Sequence, residues 1–82
     1  MKFLVEFRYD SAQRKAFREA FESAGFSQME GASVQGAWIS TKEYLVFLLA
    51  ESPDAAKVDQ ACRIWSQFGQ WTIHPVMDLE QL

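Results

Sequence analysis

The sequence is poor in the residues that most often do chemistry. Its 82 residues hold one cysteine, Cys62, and one histidine, His74. A single cysteine forms no internal disulfide, and neither residue has the neighbours of a metal-ligand set. This is the cysteine usage of a reducing cytoplasm, where the protein is expected to reside. No GxxxxGK[ST], GxGxxG, HExxH, CxxC or GxSxG occurs, so the phosphate-loop, dinucleotide, zinc-protease, redox and hydrolase signatures are missing. No cofactor or metal is therefore expected. Positive charge is scarce too: 8 Lys and Arg against 11 Asp and Glu leave a net charge of −3. Without a basic stripe, a nucleic-acid partner is not expected. The longest apolar run, residues 44–50, is far short of the roughly 20 residues that cross a bilayer, so no membrane partner is expected. The opening Met1-Lys2-Phe3-Leu4-Val5 meets Glu6 and Arg8 too soon to form the apolar core of a signal peptide.

What is present is a dense apolar composition, 49% hydrophobic with 15% aromatic. That suits one packed domain over residues 1–82 and excludes disorder. The run Tyr-Leu-Val-Phe-Leu-Leu-Ala at 44–50 does not alternate as a strand with one wet face would. It reads as a central strand covered on both sides. Two helices can cover one face of a four-stranded sheet, and little chain is left for the other. A domain this small is also short of buried area by itself. A second copy of the chain is the expected cover.

Along the chain, Phe3, Val5, Phe7 and Tyr9 alternate with Leu4, Glu6 and Arg8, which predicts a first strand over Lys2–Tyr9. A helix then starts at Asp10 or Ser11, with Asp10 and Gln13 spaced as a variant capping box. Ala16, Phe17, Ala20, Phe21 and Ala24 form its apolar stripe, and Arg14, Lys15, Arg18, Glu19 and Glu22 its wet side. Gly25 is the expected left-handed terminator, with Phe26 clasping behind it. Residues 27–32 form a loop, and 33–40 a second strand. A turn of two or four residues would put Trp38 on the face of Leu45, Phe47 and Leu49, with Ile39 beside Tyr44, Val46 and Leu48. A three-residue turn would reverse those partners. Ser52-Pro53-Asp54 reads as a helix start, with serine as the cap and proline at the first helical position. Val58, Ala61, Cys62, Trp65 and Phe68 supply the second stripe, and Gly69 its end. Residues 70–76 form the last strand, placed at an edge by Pro75, and 77–82 a short tail. The order strand-helix-strand-strand-helix-strand predicts an α+β, ferredoxin-like sandwich with a four-stranded antiparallel sheet.

The opening Met1-Lys2-Phe3-Leu4-Val5-Glu6-Phe7, the Gly36-Ala37-Trp38 step, the turn Glu51-Ser52-Pro53-Asp54, Trp65 and the closing Pro75-Val76-Met77-Asp78 together resemble a bacterial family of small uncharacterised proteins in the dimeric α/β-barrel superfamily. The resemblance covers nearly the whole chain. It implies a homodimer formed through the sheet face, the arrangement of a dimeric α/β barrel. It also implies a kinship with small monooxygenases, haem-degrading proteins and muconolactone-isomerase-like enzymes, which hold ligands in a cavity beside the sheet. A histidine usually follows the second-strand tryptophan in the family pattern; here that position is Ile39.

Five side chains are candidates for holding a small apolar ligand. Glu6 and Arg8 share one face of the first strand, where two covered charges must pair or sit in a wet cavity. Arg8 there suits a carboxylate or carbonyl. Trp38 and Tyr44, at the hairpin, can stack on a planar molecule or simply pack. His74 can give or take a proton near neutral pH, or serve as a structural edge residue. Two function classes follow. One is a non-catalytic small-ligand-binding or accessory protein. The other is a small cofactor-free monooxygenase or isomerase acting on an apolar planar substrate. No catalytic set is visible, which favours the first.

Overall fold

Alternation along the first strand decides where the core lies. The computed structural model describes residues 1–24 and 30–82. Strand β1 (Lys2–Tyr9) buries Phe3, Val5, Phe7 and Tyr9 on one face. Strands β2 (Ser33–Ile39), β3 (Leu45–Glu51) and β4 (Gly69–Val76) complete a four-stranded sheet in the order β2-β3-β1-β4. All three pairings are antiparallel. Helix α1 (Arg14–Ala24) joins β1 to β2, and helix α2 (Ala55–Cys62) joins β3 to β4. This is the ferredoxin-like α+β arrangement. The apolar run at 44–50 supplies β3, in the sheet's interior, while β4 with Pro75 is an edge.

The core is built around Phe17 of α1. Its ring stacks on Phe7 at 5.3 Å and on Tyr9 at 5.2 Å, and meets Trp65 edge-on at 5.7 Å. Val46, Leu48, Val58, Ala61, Cys62 and Phe68 close around this cluster. A single helical side chain thus binds β1 to Trp65 in the turn that follows α2, and aromatic pairs of this geometry add about 0.5–1.5 kcal/mol each beyond area burial. The rest of the α1 stripe is less engaged. Ala20 is half-buried, whereas Ala16 and Phe21 are exposed.

Local signals at the element ends resolve differently from the sequence reading. Asp10 and Gln13 do not form a side-chain capping box. Asp10 begins a short 3-10 turn over Ser11–Gln13 with no side-chain cap, and its carbonyl accepts from the Gln13 amide at 2.8 Å. The cap of α2 is Asp54, whose carboxylate accepts from the Lys57 amide at 2.9 Å, and not Ser52. Both residues are good caps. Ser52 is engaged elsewhere, being buried with its hydroxyl donating to the Gly31 carbonyl at 2.6 Å. Pro53 consequently precedes the cap instead of opening the helix. Gly69 does not end α2 either. The helix passes into a 3-10 turn over Arg63–Trp65, and Gly69 is the first residue of β4. It is needed there for close approach, because a Cβ would lie 2.0 Å from the Arg8 carbonyl oxygen. The expected terminator Gly25 and its clasp Phe26 lie outside the described residues.

The β2–β3 turn takes one of the two registers left open. The Ser40 amide donates to the Leu45 carbonyl, Ile39 pairs with Val46, and Trp38 pairs with Phe47. Four residues therefore form the loop, and Trp38 shares the face of Leu45, Phe47 and Leu49. A register shift between Val34 and Gly36 leaves Gln35 as the extra residue of a bulge in this edge strand.

Candidate functional site

Pairing places the candidate residues by rows across the sheet face turned away from the helices. In one row Phe47 of β3, Glu6 of β1 and Thr72 of β4 lie side by side, with Trp38 of β2 beyond Phe47. The next row carries Leu49, Leu4 and His74, and the row on the other side Leu45, Arg8 and Gln70. The period-2 geometry of strands makes these side chains neighbours on one surface. The half towards β2 is apolar, with Leu4, Phe47 and Leu49 half-buried and Trp38 57% exposed. The half towards β4 is polar.

Four of the five candidates therefore share this face. His74 Nε2 lies 3.6 Å from Glu6 Oε2, both side chains being nearly half exposed. Contact at that distance and exposure is a weak tie. Arg8 is exposed two residues further along the same strand face. Trp38 folds back along β2 so that its ring occupies the space above Gly36. A Cβ at Gly36 would lie 2.5 Å from the indole Cη2. Tyr44 belongs elsewhere. Its ring meets Tyr9 edge-on at 5.7 Å, and its carbonyl accepts from the Tyr9 amide, so it closes the end of the helix-side core. Thr72 and Gln70 were not singled out from the sequence. Only the β1–β4 register brings them beside Glu6 and Arg8.

On the opposite side of the sheet, a cavity of about 350 Å³ opens between α1 and β2. Phe17, Phe21, Ile39 and Val46 line it, and Arg14 and Arg18 border it. Trp38 is the one candidate residue among its walls; Glu6, Arg8 and His74 are not. The two arginines read from sequence as wet-side residues. Their signal was the spacing. Arg14 and Arg18 stand four apart, as do Phe17 and Phe21, so the two pairs run side by side along the helix.

Two further groups are structural. The Asp59 carboxylate accepts from the Trp71 indole at 2.9 Å and from Arg63 at 3.1 Å. The indole hydrogen bond first, and then the arginine, hold its carboxyl below the ordinary value. This pins α2 to β4. Burial, reinforced by the nearby Asp59 charge, pushes the Cys62 thiol up to about 11, so it is a neutral packing group at neutral pH. Among the described residues no cluster of His, Cys, Asp and Glu is placed to hold a metal, and no helix is long and apolar enough to cross a membrane.

No curated protein and no solved structure matches the chain. One family model does, over residues 1–82. The chain belongs to the family described as a domain of unknown function, DUF3303.

Proposed function

We propose that this protein is a non-catalytic binding or accessory protein that works as a homodimer, two copies packing their open sheet faces together as in the dimeric α/β-barrel superfamily. The observation that carries this reading is the open face itself. It sets an apolar half of Leu4, Phe47, Leu49 and Trp38 against a polar half of Glu6, Arg8, Thr72 and His74. Sheets packed face to face lie about 10 Å apart, so the apolar halves supply contact and the polar halves a wet margin. A small apolar ligand with one polar group fits that margin, with Trp38 against its flat surface and Arg8 or His74 at its polar end. The tail is tied to β1 by the 3.3 Å Lys2–Asp78 ion pair, and its exposed Met77, Leu79 and Leu82 are further apolar surface for a second copy. The binding reading is preferred to the enzyme reading because Glu6, Arg8 and His74 adjoin no cysteine or serine nucleophile and no metal-ligating cluster among the described residues.

Sedimentation equilibrium at micromolar concentration tests the assembly. A particle of twice the 9.4 kDa chain mass is expected, and a monomer overturns the reading. Native mass spectrometry tests the ligand. Added mass on the dimer that disappears in the Arg8→Ala/His74→Ala variant supports it. A bare dimer in both samples leaves the assembly standing and removes the ligand.

A further inference from the structure

We infer that the cleft between α1 and β2 is a second binding site, separate from the open sheet face, and that it takes a small amphipathic organic acid. Its ligand carries an apolar body and one carboxylate or sulfonate.

Three observations converge on it. The first is space. The cleft measures about 350 Å³, within the range of small-molecule sites. On its inner side the cleft is bounded by Phe17, whose ring meets Phe7, Tyr9, Trp65 and Phe68. Towards β2 the wall includes the small Ala37.

The second is surface chemistry. Ile39 points to the helix side of the sheet, in register with buried Val46, yet it is 57% exposed. Phe17, Phe21 and Tyr9 line the same cleft. An aliphatic side chain in the core register that stays in water marks unfilled apolar surface.

The third is charge. The chain is acidic at −3, but among the described residues the charged side chains bordering the cleft are both arginines, Arg14 and Arg18. Four residues apart on one helix, they present two guanidinium groups along one rim. Arg18 also pairs with Glu22 at 3.2 Å, which leaves Arg14 the freer anchor for a bidentate carboxylate. An apolar trough with a cationic rim matches an amphipathic anion, and neither a neutral hydrocarbon nor a cation uses both parts.

The test uses the full chain and 8-anilinonaphthalene-1-sulfonate, with uncharged N-phenyl-1-naphthylamine in parallel. Saturable binding of one anionic probe per chain is expected, displaced by decanoate and not by decanol. The Arg14→Ala/Arg18→Ala variant should weaken the anionic probe roughly tenfold, as loss of charge-assisted contacts does, and leave the neutral probe unchanged. Ala37→Phe, which fills the cleft, should abolish both; if it fails to fold, Ala37→Leu serves. Amide shifts caused by the probe should fall on Ala37 and Ile39. Shifts concentrated on Leu4, Glu6 and Leu49, or an anionic affinity indifferent to the arginines, would overturn the inference. A monomer in sedimentation would sink the dimer and leave these outcomes untouched.

Discussion

At the scale of single residues, Cys62 shows how burial turns a reactive group into a packing group. Its side chain is 2% exposed, and desolvation of the thiolate pushes the thiol up to about 11. In an unfolded chain the same thiol ionises near pH 8.5. Between those values the unfolded chain binds fewer protons than the native one, so stability falls as pH rises through that window. Across the whole window the loss attributable to Cys62 reaches about 3 kcal/mol. Urea midpoints compared at pH 8 and pH 10 should fall more in the wild type than in Cys62→Ala, which starts lower because of its cavity. Iodoacetamide should label Cys62 only after denaturation; rapid labelling of the folded protein would show that the thiol is not buried. Trp38 illustrates the converse. It is large and exposed, and its ring position depends on a glycine two residues earlier in the same strand.

At the scale of elements, the most demanding junction is where β4 begins. Gly69 pairs with Tyr9, and its missing side chain admits the Arg8 carbonyl and the Tyr9 Cα. Those are backbone atoms in a central strand and cannot rotate aside. Gly69→Ala should therefore destabilise the protein by about 3 kcal/mol, near the upper end for overpacking, read as a lowered denaturation midpoint. A variant within about 0.5 kcal/mol of wild type would mean that β4 starts elsewhere. The start of α2 gives a related lesson. Ser52, Pro53 and Asp54 are all helix-opening residues, and composition alone does not rank them. Tertiary structure ranks them by occupying the Ser52 hydroxyl with the Gly31 carbonyl, which frees Asp54 for the Lys57 amide.

At the scale of the molecule, β3 separates two kinds of burial. Leu48 is 2% exposed against the helices, whereas its neighbour Phe47 is half-buried on the open face. Leu48→Asp should unfold the chain, since it places an unpaired charge in the core. Phe47→Asp should keep native circular dichroism and yield monomers if sheet packs on sheet. Should Phe47→Asp remain a dimer, the partner must sit on some other surface. The open face and the α1–β2 cleft lie on opposite sides of the sheet, so assembly through one leaves the other accessible to ligand.

The order of elements, the second helical stripe and the alternation of β1 were legible in the residues, because burial repeats every second residue in a strand and about every 3.6 in a helix; of the first stripe Phe17 is buried while Ala16 and Phe21 are exposed, and the partners of Trp38 and Ile39 waited on the turn length. The candidate residues Glu6, Arg8 and His74 were legible as polar groups on apolar ribbons. Their neighbours were not: Thr72 and Gln70 join them only through the pairing of the first and last strands, a contact between segments more than 60 residues apart. Tyr44 left the group for a related reason, since its place at the end of the core depends on Tyr9. Residues on both faces of β3 are apolar, so periodicity did not choose which face the helices cover. Three-dimensional packing made that choice, and it left the cleft between α1 and β2. Pattern in a chain records which side chains avoid water together; which surfaces end up opposite one another depends on contacts that no local spacing contains.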